Sequence, residues 1–538
     1  MKLEKLLSNF QGFNLSDEIL RGIERECLRV GLNGKISQKE HPLKLGKALT
    51  HPNITTDYSE SLLEFVTPTF NDPKKLLSFL KNLHIFTSQK IGDEILWNNS
   101  MPCVLSSDDI PIASYGSSNI GKMKEVYRIG LKNRYGSAMQ VISGIHFNFS
   151  LSDHFFSKLK EIKPILNTDN MKDYKSHLYM NGIRNIHKYS WMIPYFMGSS
   201  PVICGSFLSK CPEDSDDQND GESENSKLIN IDNKGTLGYQ GATSLRLSNL
   251  GYTNSSQDDI NISYNSLKEY ARDLKKTIST EFDDYKKIDN KSDIEKLFGL
   301  GQLNSNILQL ENEYYNEARP KQITKSGESP VNALLDRGIE YVELRSVDVN
   351  SYSLIGIELD QVLFLDIFIL YCLLEENNGQ TTDQVKSYRN NQELVARHGR
   401  QKELKLFDGE KQIKATDLVR GTLEKMKCIA SKLQNDNPDY AYEDTLNNYI
   451  NKVDQTNLLM SEKIVNEIIE KESSFFESNL KRSIQFTGEL KKMKLDNTFL
   501  KEQIGYVQKS IEDQKNIEDS DRLNFSEFLK DYNLKNLT

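Results

Sequence analysis

The chain has 538 residues, 37% hydrophobic and 27% charged, a folded composition with room for one large core or two to four packed units. Its formal net charge of −9 argues against a nucleic-acid backbone as main partner, while a local basic cluster would still admit a nucleotide. Six cysteines (Cys27, Cys103, Cys204, Cys211, Cys372, Cys428) form no CxxC pair and no framework spacing, which fits a reducing compartment rather than a disulfide scaffold.

In chain order, residues 1–20 read as an amphipathic helix leading into a strand. The first ten are too short and too polar for a signal-peptide h-region, so a cytoplasmic location is expected. Asn33-Gly34 between Val30 and Ile36 is a hairpin signal. Leu76, Leu77, Phe79, Leu80, Leu83 and Phe86 fall at helical spacing across residues 75–90. Residues 114–121 read as a Gly/Ser loop, 127–134 as lying near a helix start, and 141–150 as a strand. Gly116-Ser117-Ser118-Asn119-Ile120-Gly121-Lys122-Met123 falls short of a P-loop: Met123 holds the Ser/Thr position, and no buried strand precedes it. Residues 213–224 are acidic and Ser/Asn-rich, with Lys227 where an EF-hand loop requires a bidentate Glu, so this stretch reads as a solvated loop. More strands are expected across 300–350. The longest apolar run, 362–374, is interrupted by Asp366 and is shorter than the roughly 20 residues that span a bilayer, so it reads as a buried helix. Beyond about residue 375 the chain is rich in Lys, Glu, Asn and Leu at helical periodicity.

Four segments alternate with period two but carry ionisable residues where a half-buried strand would show inert polar ones. They are Gly22-Ile23-Glu24-Arg25-Glu26, Gly144-Ile145-His146-Phe147-Asn148, Ser244-Leu245-Arg246-Leu247-Ser248 and Tyr341-Val342-Glu343-Leu344-Arg345. Carboxylates, an imidazole and guanidiniums on several strands point to one sheet face lining a charged cavity. So many carboxylates need cations beside them, and the pattern reads as a divalent-metal site that handles phosphate. Asp57, Glu60 and Glu64 add three acids among apolar neighbours, and an unpaired Glu64 between Leu63 and Phe65 would be costly. Taken singly, each signal has a plainer reading: Glu24 and Glu26 as an exposed edge, the 57–64 acids as a helix stripe, His146 as a bonded core residue, Glu343 and Arg345 as a surface pair. Their joint placement on one strand parity favours the site.

At these residues the chain resembles the proteobacterial class of glutamate–cysteine ligase, also called γ-glutamylcysteine synthetase. The resemblance is carried by GIERECLRV (22–30), LTHPNITTDYSESLLEFVTP (49–68), MPC (101–103), YGSSNIGKMKEVYRIGLKNRYG (115–136), QVISGIHFNFSL (140–151), ATSLRLSNLGYTN (242–254), NSNILQLENEYY (304–315) and SGESPVNALLDRGIEYVELRSVDVN (326–350). It implies an α+β fold: a glutamine-synthetase-like curved, mainly antiparallel sheet with an active concave face, helices on the convex side and a helical C-terminal region. The expected organisation is a catalytic core over 1–374, with an acidic insertion at about 213–234, and a helical region over 375–538 packed on it. The insertion and the tail are where the chain departs from the family.

The resemblance implies metal ligands at Glu24, Glu26, Glu64, His146 and Glu343, for Mg2+ or Mn2+. It places the catalytic pair at Glu343 and Arg345, and nucleotide contacts at Arg345 and Arg319. The substrate set is Arg246 for glutamate, Tyr58, Tyr127, Leu131 and Tyr252 for cysteine, with Asp57 and Arg128 beside them. The implied reaction joins the L-glutamate γ-carboxyl to the L-cysteine amine at the expense of ATP, the first step of glutathione synthesis; a related ligase with another amine acceptor is the alternative. A monomer is expected, with glutathione as feedback inhibitor and neither nucleic acid nor membrane as partner.

Overall fold

The computed structural model describes residues 3–537 apart from 103–104, 106–109, 166–169, 209–227, 252–259, 289–294 and 326. At its centre lies a seven-stranded sheet built from β1 (Ile19–Val30), β2 (Ile54–Thr56), β3 (Leu62–Val66), β4 (Ile95–Leu96), β5 (Ile145–Leu151), β6 (Ala318–Lys321) and β7 (Tyr341–Val347). The order is β2-β3-β1-β5-β7-β6, with β4 pairing the end of β1, and every pair is antiparallel.

Alternation along β1 separates two faces. Ile23 and Cys27 point into the core together with Arg21, Arg25 and Arg29, all buried, while Glu24 and Glu26 point the other way. Each buried arginine has a partner. Arg21 grips Asp366 at 2.7 and 2.9 Å, Arg25 donates to Asn98 Oδ1 at 2.7 Å, and Arg29 donates to Glu94 at 2.8 Å. Burying a guanidinium is tolerable only with such partners.

Helices α1 (Pro73–Ser88), α3 (Met171–Tyr189) and α4 (Leu359–Leu374) cover that apolar face, whereas α2 (Asn119–Tyr135) borders the other. Asp72 caps α1 by accepting from Lys74 N and Lys75 N, with Pro73 at the first helical position. The apolar run at 362–374 is α4, buried throughout, and its Asp366 is spent on Arg21. Among the described residues no helix is long and apolar enough to cross a membrane. Beyond residue 375 the chain is helical, ending in α5 (Asn497–Ser520) and α6 (Phe525–Leu537).

Two expectations need correction, and one alternative reading falls away. Among the described residues ahead of β1 there are only the helix Leu3–Ser8 and a 3-10 turn at Ser16–Glu18, with Gly12 at φ +75° breaking the run between them. The helical tail contains one hairpin, Lys405–Asp408 with Lys411–Lys414, whose two-residue loop Gly409-Glu410 follows Asp408. The acids at 57–64 sit on and between β2 and β3, not on a helix stripe. The acidic stretch 213–224 lies outside the described residues.

Candidate active site

Strand register assembles the charged face. Glu24 stands opposite His146 across β1 and β5, Glu26 opposite Glu64 across β1 and β3, and Glu343 opposite both Asn148 of β5 and Arg319 of β6. All of these share one parity, so their side chains leave the same side of the sheet. His146 Nδ1 lies 3.1 Å from Glu24 Oε2 and 3.8 Å from Glu343 Oε1, and its Nε2 lies 3.6 Å from Glu26 Oε1. Asn148 Nδ2 donates to Glu24 Oε1 at 2.9 Å, and Gly144 N donates to Glu26 Oε2 at 2.7 Å.

Two cations sit directly against Glu343. Lys321 Nζ lies 3.2 Å from Glu343 Oε1, and Arg345 Nη1 lies 3.1 Å from Glu343 Oε2. Burial opposes the Glu343 charge, but Lys321, Arg345 and His146 hold its carboxyl well below the usual range. At Glu64 the balance runs the other way: burial, then the carboxylates of Glu24, Asp57, Glu26 and Glu343, push it well above the usual range. Burial likewise raises Glu26. Between β7 and β5 the register shifts between Leu344 and Val347, a bulge that takes in Arg345.

These groups line one end of a cavity of about 640 Å3. Across from the sheet runs α2, started by Ser118, whose hydroxyl accepts from Gly121 N. Its Tyr127, Arg128 and Leu131 line the cavity, as do Asp57, Tyr58 and Arg319. Arg128 donates through Nε to Asp57 O at 2.7 Å and lies 4.7 Å over the Tyr115 ring. The Tyr58 hydroxyl bonds Ser137 Oγ at 2.9 Å.

The cavity thus gathers twelve of the residues singled out in the sequence: Glu24, Glu26, Asp57, Tyr58, Glu64, Tyr127, Arg128, Leu131, His146, Arg319, Glu343 and Arg345. Tyr252 lies outside the described residues. Arg246 departs from expectation. Residues 244–248 form no strand but a 3-10 turn, Leu245–Leu247, and the Arg246 side chain is buried outside the cavity lining. Its Nη2 donates to Arg345 O at 2.8 Å and its Nη1 lies 3.6 Å from Asp348. It packs where only a glycine leaves room, since a Cβ on Gly144 would meet Arg246 Nη2 at 2.0 Å. Among the lining residues that the sequence reading passed over, three bear on the chemistry. Lys321 shares its strand parity with Arg319, so the same alternation rule would have found it. Ile517 and Tyr532, from α5 and α6, carry no local signal.

Glu24, Glu64 and His146 each place a ligand atom within 4.8 Å of the others, an oxygen-rich set with one imidazole that suits a divalent cation. Carboxylates this close, with guanidiniums and an ammonium at their edge, define an enzyme that works on a phosphate-bearing substrate.

The comparisons with known proteins agree. The family model described as glutamate-cysteine ligase matches residues 4–395. The glutamate–cysteine ligase of Alcanivorax borkumensis is 38% identical over 518 residues, covering 96% of this chain and 95% of that one. That of Pseudoalteromonas translucida is 46% identical over 390 residues, 72% of this chain and 71% of the relative. A crystal structure of glutamate–cysteine ligase from Francisella tularensis in complex with AMP superposes with a TM-score of 0.85 at 33% identity, covering 96% of this chain and 97% of that one. The fold also recurs in a bifunctional glutathione synthetase from Pasteurella multocida, with a TM-score of 0.69 at 21% identity over 91% of this chain and 55% of that one. The chain belongs to the glutamate–cysteine ligase family.

Proposed function

We propose that the chain joins the γ-carboxyl of L-glutamate to the amine of L-cysteine through γ-glutamyl phosphate, releasing ADP and phosphate, as the first step of glutathione synthesis. The observation that carries this reading is the sheet face itself: five ligand-type side chains on four strands, with Arg345 and Lys321 at their edge.

A free carboxylate is a poor acyl donor because oxide would have to leave. Attack of a γ-carboxylate oxygen on the ATP γ-phosphorus forms an O–P bond, breaks the bond to ADP and installs phosphate as a leaving group. The deprotonated cysteine amine then attacks the acyl carbon, the peptide bond forms and phosphate departs. Arg345, set at the bulge beside Glu343, meets the charge that grows on the transferring phosphoryl group. Arg319, one strand further out, extends the positive edge along the nucleotide phosphates. Arg128, held by the carbonyl of Asp57, offers a guanidinium to a substrate carboxylate. Tyr58, Tyr127 and Leu131 shape a half-apolar pocket for the cysteine side chain, with Asp57 at its edge. Arg246 supports the site from outside the cavity, holding the carbonyl of Arg345 and countering the charge of Glu26.

Glu24, Glu26, Glu64, His146 and Glu343 would hold magnesium, or manganese in its place. A cation held there would offset the carboxylates that repel one another at Glu64 and would supply positive charge to the nucleotide phosphates. Glutathione, which carries the same γ-glutamyl head as the product, would compete for the glutamate pocket. The reading includes a cytoplasmic monomer in which the 1–374 core and the 375–538 region act as one unit; α4 packs on the helix Ala415–Asp436, which supports it.

The test is phosphate release from Mg-ATP and glutamate, with and without cysteine, together with detection of the product. Release that depends on cysteine and matches a γ-glutamylcysteine peak supports the reading. Release that ignores cysteine but follows another amine moves it to the related ligase. No release with nucleotide binding intact overturns it.

A further inference from the structure

The cavity has a second end, beyond the metal and cysteine pockets. α2 borders it for most of its length: Ile120, Met123 and Lys124 line it near the helix N-terminus, Tyr127 and Leu131 further on. At about 1.5 Å per residue, Ile120 and Leu131 stand roughly 16 Å apart along the axis. Tyr58 marks the Leu131 end, since its partner Ser137 lies just past the helix.

The Ile120 end is closed by the C-terminus. Ser117 N donates to Glu518 at 2.9 Å, Asn119 N to Asp521 at 2.5 Å, and Asn119 Nδ2 to Leu523 O at 2.9 Å. Gly116 at φ +85° allows the contact, because any Cβ there would collide with Gln514 and Glu518. α6 continues across α2, with Phe525 edge-on to Phe298 at 5.6 Å, and Asn332 Nδ2 donates to Lys535 O at 3.4 Å. From this docked position Ile517 and Tyr532 reach the cavity. Both lie beyond residue 395, where the family match ends.

The chemistry decides which substrate meets this end. Acyl group and amine must converge on the transferred phosphoryl group. The nucleoside is therefore the part that has to point away from the cysteine pocket. A purine is a flat ring with apolar faces, and Ile120, Met123, Pro330, Ile517 and Tyr532 offer apolar and aromatic surface to match. We propose that the last turn of α5 and helix α6 form the base-binding wall of the nucleotide site, with Ile517 and Tyr532 in contact with the purine. The C-terminal helices then set nucleotide affinity and base selectivity. This rests on the ATP-dependent reading above.

The test uses the full-length chain carrying Tyr532→Ala or Ile517→Ser, read by ADP binding in calorimetry and by steady-state kinetics. Both variants should weaken ADP and raise the KM for ATP, roughly 5- to 100-fold for the tyrosine, the range of aromatic stacking on a base. The kcat and the KM values for glutamate and cysteine should stay near wild type, and the preference for ATP over GTP should narrow. Tyr532→Phe should keep ADP affinity, and Leu534→Ser, on the same helix but 68% exposed and outside the cavity lining, should change nothing. Should Tyr532→Ala melt early, Ile517→Ser carries the same test. Unchanged ADP affinity in Ile517→Ser and in a stably folded Tyr532→Ala overturns the proposal, as does a shift confined to the KM for cysteine. A wild-type chain that binds ADP but makes no γ-glutamylcysteine would instead count against the reaction, leaving the wall to be judged by ADP binding alone.

Discussion

Glu24 and His146 face each other directly across β1 and β5, and their side chains meet at 3.1 Å. The pairing gives the imidazole a fixed orientation at the centre of the carboxylates, with its other nitrogen toward Glu26. Removing the imidazole while keeping the sheet should separate metal binding from folding. His146→Ala is expected to raise the magnesium requirement about 10- to 100-fold, the usual cost of disturbing a metal's surroundings, with the far-UV circular dichroism unchanged. An unaltered magnesium titration would contradict the ligand assignment.

Glu343 is held charged by Lys321 and Arg345, so it can serve cation and phosphoryl group without first losing a proton. Glu343→Gln should fold normally and lose about 100-fold or more in kcat, with a weaker dependence on magnesium. Near-normal turnover at an unchanged magnesium requirement would remove it from the machinery.

Gly144 ties β5 to Arg246. A methyl group there would strike the guanidinium at 2.0 Å, while the Gly144 amide holds Glu26. Gly144→Ala should therefore displace Arg246 and Glu26 together. The expected result is a fall in kcat larger than that of Arg246→Lys, at a melting temperature within a few degrees of wild type. Equal activity of Gly144→Ala and wild type would show that this packing has no bearing on the site.

Arg21 and Asp366 form an ion pair with both side chains fully buried, joining β1 to α4. Breaking one partner strands the other charge. Asp366→Ala is expected to cost about 3–5 kcal/mol in urea unfolding, with KM values unchanged where the protein remains folded. A loss under about 1 kcal/mol would mean that the guanidinium finds another partner.

His187 is buried on α3 against the Tyr264 ring, and burial pulls its pKa to about 4. A histidine with a depressed folded pKa contributes stability above its unfolded pKa of about 6.5 and loses it as pH falls toward the folded value. Stability should therefore decline between about pH 6.5 and 4, with His187 accounting for at most about 3 kcal/mol. His187→Leu should flatten that limb while changing little at pH 8, as followed by urea midpoints. An unchanged acid limb would place the pH sensitivity elsewhere.

Much of the site could be read from the chain because strand alternation is a local rule. Glu24, Glu26, His146, Glu343 and Arg345 all stand on one parity of strands whose apolar residues fix the opposite face. The same rule failed at 244–248, where three alternating residues are too few to distinguish a strand from the turn that Gly251 and the Ser200 contact impose. It could not tell that Arg21, Arg25 and Arg29 face the core, because these partners lie 65 to 345 residues away. For the same reason Ile517 and Tyr532 were invisible: helical periodicity shows which side of α5 and α6 is apolar, not what that side touches. The long matching segments extended the reading to Tyr58 and the α2 residues, which no periodicity singles out.

The most direct measurement is the fate of oxygen. Glutamate labelled with 18O in its γ-carboxyl should pass one labelled atom into each phosphate released during γ-glutamylcysteine formation, because the γ-oxygen that attacks ATP leaves with phosphate. Phosphate free of label, formed in step with the dipeptide, would contradict activation of glutamate as an acyl phosphate on this sheet face.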